Sequence, residues 1–317
     1  IKDFLKYDFN IILVGDKKTN HSSYLNKNVL YIHPTENTKF DKFEKLLPYN
    51  HYCRKNIGYL YALLNGSELI FDTDDDNYPL DNFNTWKDEI VYEKITGSKY
   101  PNILTLFTNE YIWPRGYPLE LLQTEQTIEH NEVSLNDLKN IGIIQSIADG
   151  DPDVDAIYRL TNQSYNKDIN FISNRGYVID KNIYVQGNTQ ATIWNDRKLF
   201  HLLYVPCTVS FRFCDILKMY IAQRCMWEYN KLFCYISPIV KQHRNEHDYM
   251  LDFKSEYSMY TNILYILESI FDKIKLNGDA NDLLLIYIEL YKNEIVKEKE
   301  IELVEEWLKN IDTIMNK

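Results

Sequence analysis

The feature that most constrains the fold of this chain is an apolar run that leads straight into a cluster of acids. Leu69, Ile70 and Phe71 predict a short buried strand, and four aspartates follow between positions 72 and 76. Asp72 and Asp74 are two positions apart, so their side chains point to the same side if the extended conformation continues. Two hard oxygen ligands in one small volume favour a divalent cation. At the carboxyl end of a strand in an open α/β sheet, such a cation favours a phosphate-bearing ligand.

A helix is predicted immediately before this strand. Its apolar residues recur at helical spacing, and a glycine follows as the expected C-cap: Ile57, Leu60, Tyr61, Leu64 and Gly66. Arg54 and Lys55 open the helix, although cations at a helix N-terminus oppose its dipole by roughly a few tenths of a kcal/mol. A bound diphosphate would offset this penalty, whereas the alternative is an exposed charged turn.

Other structures could account for the acids. An EF-hand loop is not expected, because Asn77 replaces the turn glycine and Phe83 stands at the position of the bidentate glutamate. A solvated acidic turn that caps a helix stays an alternative. A second acid cluster, at positions 149–155, fails as an EF-hand in the same way, and its last member, Asp155, is the natural N-cap of a helix predicted from Ala156 to Leu160.

The strand, its Asp-x-Asp motif and the preceding Arg-Lys-Asn helix resemble the nucleotide-sugar site of GT-A glycosyltransferases. A closer resemblance, from about Asn10 to about Phe253, is to the STELLO family of glycosyltransferases. It is carried by Tyr52 and Arg54-Lys55 with Gly58-Tyr59-Leu60, Ile70-Phe71-Asp72 with Asp74-Asp75, Trp113-Pro114-Arg115-Gly116 with Pro118-Leu119-Glu120, and Pro152-Asp153-Val154-Asp155. This set is far more specific than a lone Asp-x-Asp. Asp76-Asn77 departs from the expected pattern, which makes Asp76 the weakest ligand among the acids.

The resemblance implies an α/β fold, with a GT-A-like, Rossmann-type mixed sheet flanked by helices and a C-terminal helical appendage. It implies that Asp74, and secondarily Asp72 and His243, hold Mn²⁺ or Mg²⁺ on the diphosphate of a UDP- or GDP-sugar. Asp16 follows the first predicted strand and is the expected base or ribose contact, with Lys17 or Lys18 near a phosphate. An ordinary polar loop is the alternative for these residues.

Further site residues are expected from the other blocks. Arg54 and Lys55 face the diphosphate, and Arg115 lies in a rigid Pro- and Gly-containing turn from which it would bind phosphate or carboxylate. A packed structural corner is the alternative for that turn. Asp153 and Asp215 are the candidates for contacting acceptor hydroxyls, and one of them would act as the base if the reaction inverts.

Composition excludes some classes of protein. The 317 residues, 45% of them apolar, can bury a large core, and the formal net charge of −11 argues against a general nucleic-acid binder. Five cysteines without a Cys-x-x-Cys pair indicate reduced thiols rather than a zinc ribbon or a disulfide framework. The sequence contains no apolar run of eighteen residues that would predict a membrane span.

The chain begins at Ile1 rather than at methionine, which is typical of a processed or excised piece. Plant STELLO proteins look like Golgi membrane-anchored enzymes, so the resemblance implies a Golgi-like lumen if an anchor lies upstream. The cytoplasm is the alternative. A His-x-x-Glu-His motif from His243 to His247 matches inverted zinc peptidases, but it lacks a long apolar helix, and the GT-A interpretation of His243 is preferred.

Residues 1–253 are assigned to the catalytic domain and residues 254–317 to a C-terminal helical segment. Three helices are predicted there, at roughly 256–275, 280–297 and 299–315, with a break at Asn277-Gly278. Their apolar stripes predict packing on the catalytic domain or on a partner chain, including a second copy. Earlier in the chain, Leu199 to Val209 is predicted to form strands, and a helix with Asp215 near its start is predicted to follow. Leu80 to Tyr100 is predicted to be rich in loops.

The sequence therefore predicts a metal-dependent glycosyltransferase that moves a sugar from a nucleotide-sugar donor to a hydroxyl of a glycan or glycoprotein. Two alternatives stay open. One is a nucleotide-sugar mutase, which would resemble reversibly glycosylated polypeptides. The other is a non-catalytic module that binds a polysaccharide synthase through the late helices.

Overall fold

The computed structural model describes residues 2–24, 29–34, 38–87, 89–162, 169–243 and 248–316. Its strands are β1 Ile12–Val14, β2 Leu30–Ile32, β3 Ile70–Thr73, β4 Asn77–Pro79, β5 Val91–Gly97, β6 Ile128–Asn131, β7 Ile141–Asp149, β8 Arg175–Ile179, β9 Ala191–Trp194 and β10 Leu232–Gln242. Its α-helices are α1 Asp41–Leu46, α2 Lys55–Leu64, α3 Leu135–Lys139, α4 Ala156–Thr161, α5 Cys214–Met226, α6 Tyr249–Tyr265, α7 Asn281–Lys292 and α8 Lys299–Met315. Within these ranges, no helix is long and apolar enough to cross a bilayer.

A mixed sheet of eight strands is the centre of the molecule. Seven strands follow the order β3-β9-β7-β10-β8-β5-β6, and β4 pairs with β10 beside this path. The β7–β10 and β8–β5 pairs are parallel, and the remaining pairs are antiparallel. Helices flank the sheet and further helices follow it, which confirms the predicted GT-A-like α/β architecture.

The longest strand, β10, connects the two halves of the sheet. One of its edges pairs with β7, and the other pairs with β8 as far as Ile236 and with β4 from Val240 onward. The register against β7 shifts between these two residues, as it does at a β-bulge. Because β4 directly follows residues 74–76, which we call the acidic loop, β3 holds one end of this loop and β10 holds the other.

Helix α2 packs on the separate two-stranded parallel sheet formed by β1 and β2. A Cβ at Gly58 would lie 2.9 Å from Val14 Cγ2, so only glycine allows this close approach of helix and strand. The helix ends as predicted. Gly66 has a φ of +78°, its N–H donates to Leu63 O, and the N–H of Ser67 donates to Ala62 O, which together form a Schellman cap.

The C-terminal helices belong to the same packed core as the sheet. Residues of α6, α7 and α8 share one hydrophobic cluster with α2 and α5, so their apolar stripes pack on the rest of the chain. The first helix begins at Tyr249, earlier than predicted, and continues through a π-helical turn at Ile266–Phe271. Gly278, with a φ of +81°, lies in the predicted break between the first two of these helices. The proposed domain boundary, after residue 253, falls inside α6.

Two segments differ from the sequence prediction. Leu199 to Val209 is not a strand, because Arg197–Leu203 forms a 3₁₀ helix capped by Asp196. Its apolar residues are all buried, and uniform burial removes the periodicity that would separate helix from strand. In the segment read as loop, Val91–Gly97 forms β5, a largely half-exposed strand whose polar residues conceal the alternation.

Candidate functional site

Strand β3 carries the first acid of the cluster into the protein interior. Asp72 is 5% exposed, and both of its carboxylate oxygens have partners. Oδ1 lies 2.9 Å from Lys55 Nζ, while Oδ2 accepts a hydrogen bond from the Tyr59 hydroxyl and lies 3.6 Å from Lys218 Nζ. Lys218, on α5, is fully buried, and burial lowers its pKa to about 8 although Asp72 opposes the shift. Asp72 is thus neutralised by two ammonium groups.

Lys55 Nζ lies between the two carboxylates of the Asp-x-Asp motif. It is 2.9 Å from Asp72 Oδ1, 2.8 Å from Asp74 Oδ1, 3.0 Å from Thr189 O and 3.2 Å from Thr73 O. Burial disfavours the charged ammonium, but Asp72 and Asp74 outweigh burial and raise the pKa of Lys55. The two carboxylates therefore converge on one point, as their spacing predicts, and an ammonium group occupies that point.

Asp74 is the more accessible of the two acids, with 25% of its side chain exposed. Its Oδ1 also accepts a hydrogen bond from the Tyr52 hydroxyl. Burial raises the pKa of Asp74, and Lys55 and Tyr52 counteract only part of this shift. Within the described chain, Oδ2 of Asp74 accepts no hydrogen bond, and neither does the buried Oδ1 of Asp76, whose Oδ2 accepts from Gln242 Nε2 at 3.0 Å.

Arg115 holds the two predicted catalytic acids together. Its Nε and Nη2 donate to the two oxygens of Asp153, both at 2.8 Å, and its Nη1 and Nη2 donate to the two oxygens of Asp215 at 3.0 and 2.7 Å. Nη1 also donates to the carbonyl of Arg212. Burial opposes ionisation of Asp153, but the Arg115 guanidinium outweighs it and holds the pKa of that carboxyl well below its usual range. All five N–H groups of Arg115 are thereby used within the protein.

Two of the sequence blocks are joined by backbone pairing. Pro114 and Val154 form an antiparallel bridge, and the N–H of Arg115 donates to Asp153 O at 2.8 Å. The Trp113 Nε1–H donates to Asp155 Oδ2 at 2.7 Å. The rigid turn and the second acid cluster are therefore one structural unit, in which Arg115 and Asp153 face each other.

A polar segment at residues 186–190 connects the Lys55 and Arg115 clusters. Thr189 O contacts Lys55, as described above, and Asn188 Nδ2 donates to Asp153 Oδ2 at 2.8 Å. Asn188 and Gln190 line a small cleft together with Arg115 and Asp153. Gln186 lines the same cleft and is 1% exposed, yet within the described ranges neither of its amide atoms makes a hydrogen bond. Gln186 is close enough to the Tyr220 hydroxyl to influence the pKa of that tyrosine, but the two side chains lack hydrogen-bond geometry.

The expected base, ribose and phosphate contacts Asp16, Lys18 and Arg54 do not line this cleft. Asp16 closes a turn after β1, in which its Oδ1 accepts from Lys17 N at 2.7 Å, and Lys18 is exposed. Arg54 is buried, donates to Glu44 Oε1 at 2.7 Å and lies over the Tyr49 ring. Their contacts to a nucleotide stay predictions. In the part of the chain described, Nε and Nη1 of Arg54 make no hydrogen bond.

The three predicted metal ligands do not form one coordination shell. His243 is exposed, and its ring lies edge-to-face against Tyr78 with the ring centroids 5.2 Å apart. The backbone N–H of His243 donates to Asp76 O at 3.2 Å. Across the described ranges, no three His, Cys, Asp or Glu side chains converge as a metal site would require. Both oxygens of Asp72 are engaged by cations and a hydroxyl. An ammonium group therefore lies where the metal was expected, and metal binding stays a prediction. His247 lies outside the described residues.

Several residues of the site were not predicted from the sequence. Lys218 and Tyr59 complete the partners of Asp72, while Gln186 and Asn188 line the cleft. The polar run Gln186-Gly187-Asn188-Thr189-Gln190 between apolar strands was the available signal for the last two. Lys218 gave a weaker signal, since a lysine stands among apolar residues of a helix whose every position but one is buried.

Comparison with known proteins finds two similar plant proteins. No family model matches it. It is 28% identical over 235 residues to "Probable glycosyltransferase STELLO2" of Arabidopsis thaliana, an alignment that covers 68% of this chain and 30% of that protein. It is 30% identical over 203 residues to "Probable glycosyltransferase STELLO1" of the same plant, covering 57% and 25% respectively. The chain thus spans less than a third of the length of these relatives. Together with the paired motif blocks, these similarities confirm the resemblance found in the sequence: this chain is related to the STELLO family.

Proposed function

We propose that this chain is a glycosyltransferase that moves a sugar from a nucleotide-sugar donor to a hydroxyl of a glycan or glycoprotein acceptor. The observation that carries the proposal is that residues 188 and 189 join two clusters from separate sequence blocks: Asn188 donates to Asp153, and Thr189 O contacts Lys55. The first cluster contains Lys55, Asp72 and Asp74, and the second contains Arg115, Asp153 and Asp215, of which Arg115 and Asp153 line the cleft. The names of the two plant relatives support the same class of reaction.

The donor diphosphate is proposed to bind at Lys55, in the cluster beside the cleft. The ammonium group there is preorganised, so it can stabilise the negative charge that develops on the leaving diphosphate without reorganising during the reaction. The sugar would extend along residues 186–190, where the Gln186 amide offers one donor and one acceptor group to a hydroxyl. A buried amide without partners is costly, and a sugar hydroxyl would satisfy it.

Asp153 and Asp215 are proposed to face the acceptor hydroxyl. Because Arg115 keeps the pKa of Asp153 low, Asp153 is ionised at neutral pH and can accept a proton, although a low pKa makes it a weak base. Its second role is to orient hydroxyls by hydrogen bonding. A reaction that inverts the sugar requires such a base, and a retaining reaction does not.

Mn²⁺ or Mg²⁺ is the cofactor expected from the sequence, and this expectation stays a prediction. The described side chains present an ammonium ion where the cation was expected, so no step above depends on a metal. The alternative of a partner-binding module stays open: much of the apolar surface of the late helices packs within the chain, but Leu251 and Tyr257 are exposed.

A thermal-shift screen with UDP, GDP and their sugar conjugates tests the proposal. A ligand that binds only the folded state stabilises it by about 2.7 kcal/mol at a hundredfold excess over its dissociation constant, which is easily measured. Stabilisation by one nucleotide family, followed by transfer to a hydroxyl acceptor, is the expected result. Donor interconversion without an acceptor would indicate the mutase instead, and no stabilisation by any nucleotide would contradict the proposal.

A further inference from the structure

We propose that the Lys55 ammonium is the resident cation of the Asp72–Asp74 site, so that this chain binds a nucleoside diphosphate without a divalent metal. The proposal rests on the proposed function for the identity of the ligand, but its central claim concerns the cation alone. It assigns to one side chain the role that the sequence motif alone would give to Mn²⁺ or Mg²⁺.

The oxygen cage around Lys55 Nζ is the first argument. Two carboxylate and two carbonyl oxygens surround the ammonium at 2.8–3.2 Å. These are ordinary lengths for charge-assisted N–H···O bonds and are far longer than the ~2.1 Å of a Mg²⁺–oxygen bond. The donor set is one that a hard cation would use, and it is already formed around a nitrogen.

The local charge balance is the second argument. Asp72 and Asp74 bring two negative charges, and Lys55 and Lys218 bring two ammonium groups within 3.6 Å of them. A dication that used Asp72 Oδ1 would have to displace Lys55 while Lys218 remained fixed in the core behind it. Repulsion between the dication and the neighbouring Lys218 ammonium opposes this binding.

The accessibility of Lys55 is the third argument. Its side chain is 21% exposed, whereas that of Lys218 is fully buried. A phosphate oxygen can therefore approach Lys55 from its exposed side and replace the Thr189 or Thr73 carbonyl at the ammonium. Tyr52 covers another side of the ammonium, with its ring centroid 4.6 Å from Nζ.

Titration with Mn²⁺ alone, followed by electron paramagnetic resonance of the free ion, tests the claim directly. We compare the native chain with Lys55→Met, which vacates the cage, and with Lys292→Met, which removes a remote exposed lysine paired with Glu289. The expected result is weak Mn²⁺ binding by the native chain and by Lys292→Met. Lys55→Met should bind Mn²⁺ at least about tenfold more tightly, because the Lys55 ammonium no longer competes with the ion for the Asp72 and Asp74 carboxylates.

Calorimetry with UDP and GDP, in chelator and in Mn²⁺, separates this proposal from the proposed function. The native chain should bind one of the nucleotides equally in both conditions, and Lys55→Met should lose about tenfold in affinity in chelator. Nucleotide binding by the native chain only in Mn²⁺ would overturn the inference and leave the glycosyltransferase proposal intact. Tight Mn²⁺ binding by the native chain would overturn it as well, even if no nucleotide bound. Both decisive measurements use the native chain, so they hold even if Lys55→Met fails to fold.

Discussion

Arg115 shows how one residue can set the properties of its neighbours. Its guanidinium binds two carboxylates through paired hydrogen bonds, which fixes the position of Asp153 and Asp215 and keeps Asp153 ionised. The sequence indicated that Arg115 would meet a phosphate or a carboxylate, and the described contacts are to carboxylates. Which acids it would meet depended on contacts between residues 38 and 100 positions apart, which spacing in the sequence cannot show.

The division of roles between the two acids can be tested by substitution. Asp153→Asn and Asp215→Asn keep the shape of the side chain and remove its basicity, so nucleotide binding should persist. Transfer should fall by a general-base factor of about a hundred to ten thousand for the acid that acts as base. Calorimetry with UDP or GDP and a transfer assay measure the two effects.

Asp151→Asn is the matched control, because Asp151 lies in the same acid cluster but pairs with Arg159, at 2.6 Å. Its transfer rate should stay close to that of the native chain. If neither Asp153→Asn nor Asp215→Asn slows transfer, the reaction is retaining or its base lies elsewhere.

At the scale of elements, Asp155 caps the N-terminus of helix α4, and the effect of its carboxyl group on the stability of the folded chain depends on pH. Its Oδ1 accepts from Tyr158 N at 2.7 Å, which confirms the predicted N-cap, and its Oδ2 accepts from Trp113. Burial raises the pKa of Asp155 to about 6, with Glu256 adding to the shift and the hydrogen bonds opposing it. The folded state therefore binds more protons than the unfolded chain between about pH 4 and pH 6.

Asp155→Asn should consequently change how stability depends on pH. As pH rises from 4 to 6, the native chain loses on the order of 3 kcal/mol through Asp155, and this loss persists above pH 6. The asparagine variant still caps the helix but carries no charge, so its free energy of unfolding relative to the native chain should rise over that interval. Urea unfolding at pH 4.5 and pH 7.5 measures the difference.

Asp196→Asn provides a control of opposite sign. Asp196 also caps a helix, but it pairs with Lys231 at 2.7 Å, and this contact holds the pKa of Asp196 low despite its partial burial. Its stabilisation is present above the unfolded pKa and is lost as pH falls. Equal pH dependence of both variants would contradict the assignment for Asp155.

The elements themselves were predictable where periodicity was clear. Helix α2 with its glycine cap, strand β3 and helix α4 with Asp155 were confirmed, because amphipathic spacing and capping residues are local signals. Strand β5 was missed because it obtains its regular structure from pairing with β8 and β6, and its own residues are largely polar. Lys55 was predicted to meet a diphosphate, but its position between two carboxylates depends on tertiary contacts.

At the scale of the whole molecule, helix α8 closes the core. Trp307 is fully buried, donates from Nε1 to His201 O at 2.8 Å, and packs against Phe43 and Tyr204. These partners come from distant parts of the chain. The helical segment and the sheet are therefore expected to unfold together, and a boundary at residue 253 would not separate two stable units.

Trp307→Ala tests this cooperativity. A buried tryptophan replaced by alanine costs about 3–5 kcal/mol, and the loss should lower the stability of the entire chain in a single unfolding transition. Glu305→Ala, on the exposed face of the same helix, should change the free energy of unfolding by less than about 0.5 kcal/mol. Two separate transitions in the Trp307→Ala protein, with only one of them displaced, would show an independent helical domain.

The anchoring of the acidic loop at both ends limits which insertions and deletions this chain can accept. Its first anchor is β3, and its second is β4, where Asn77 is buried and donates to Gln190 O at 2.8 Å and to Thr73 Oγ1 at 3.1 Å. Since side chains alternate along a strand, an insertion that shifted β4 by one residue against β10 would turn Asn77 to the opposite face and move Tyr78 from solvent to the interior. The loop can therefore change its residues more easily than its length.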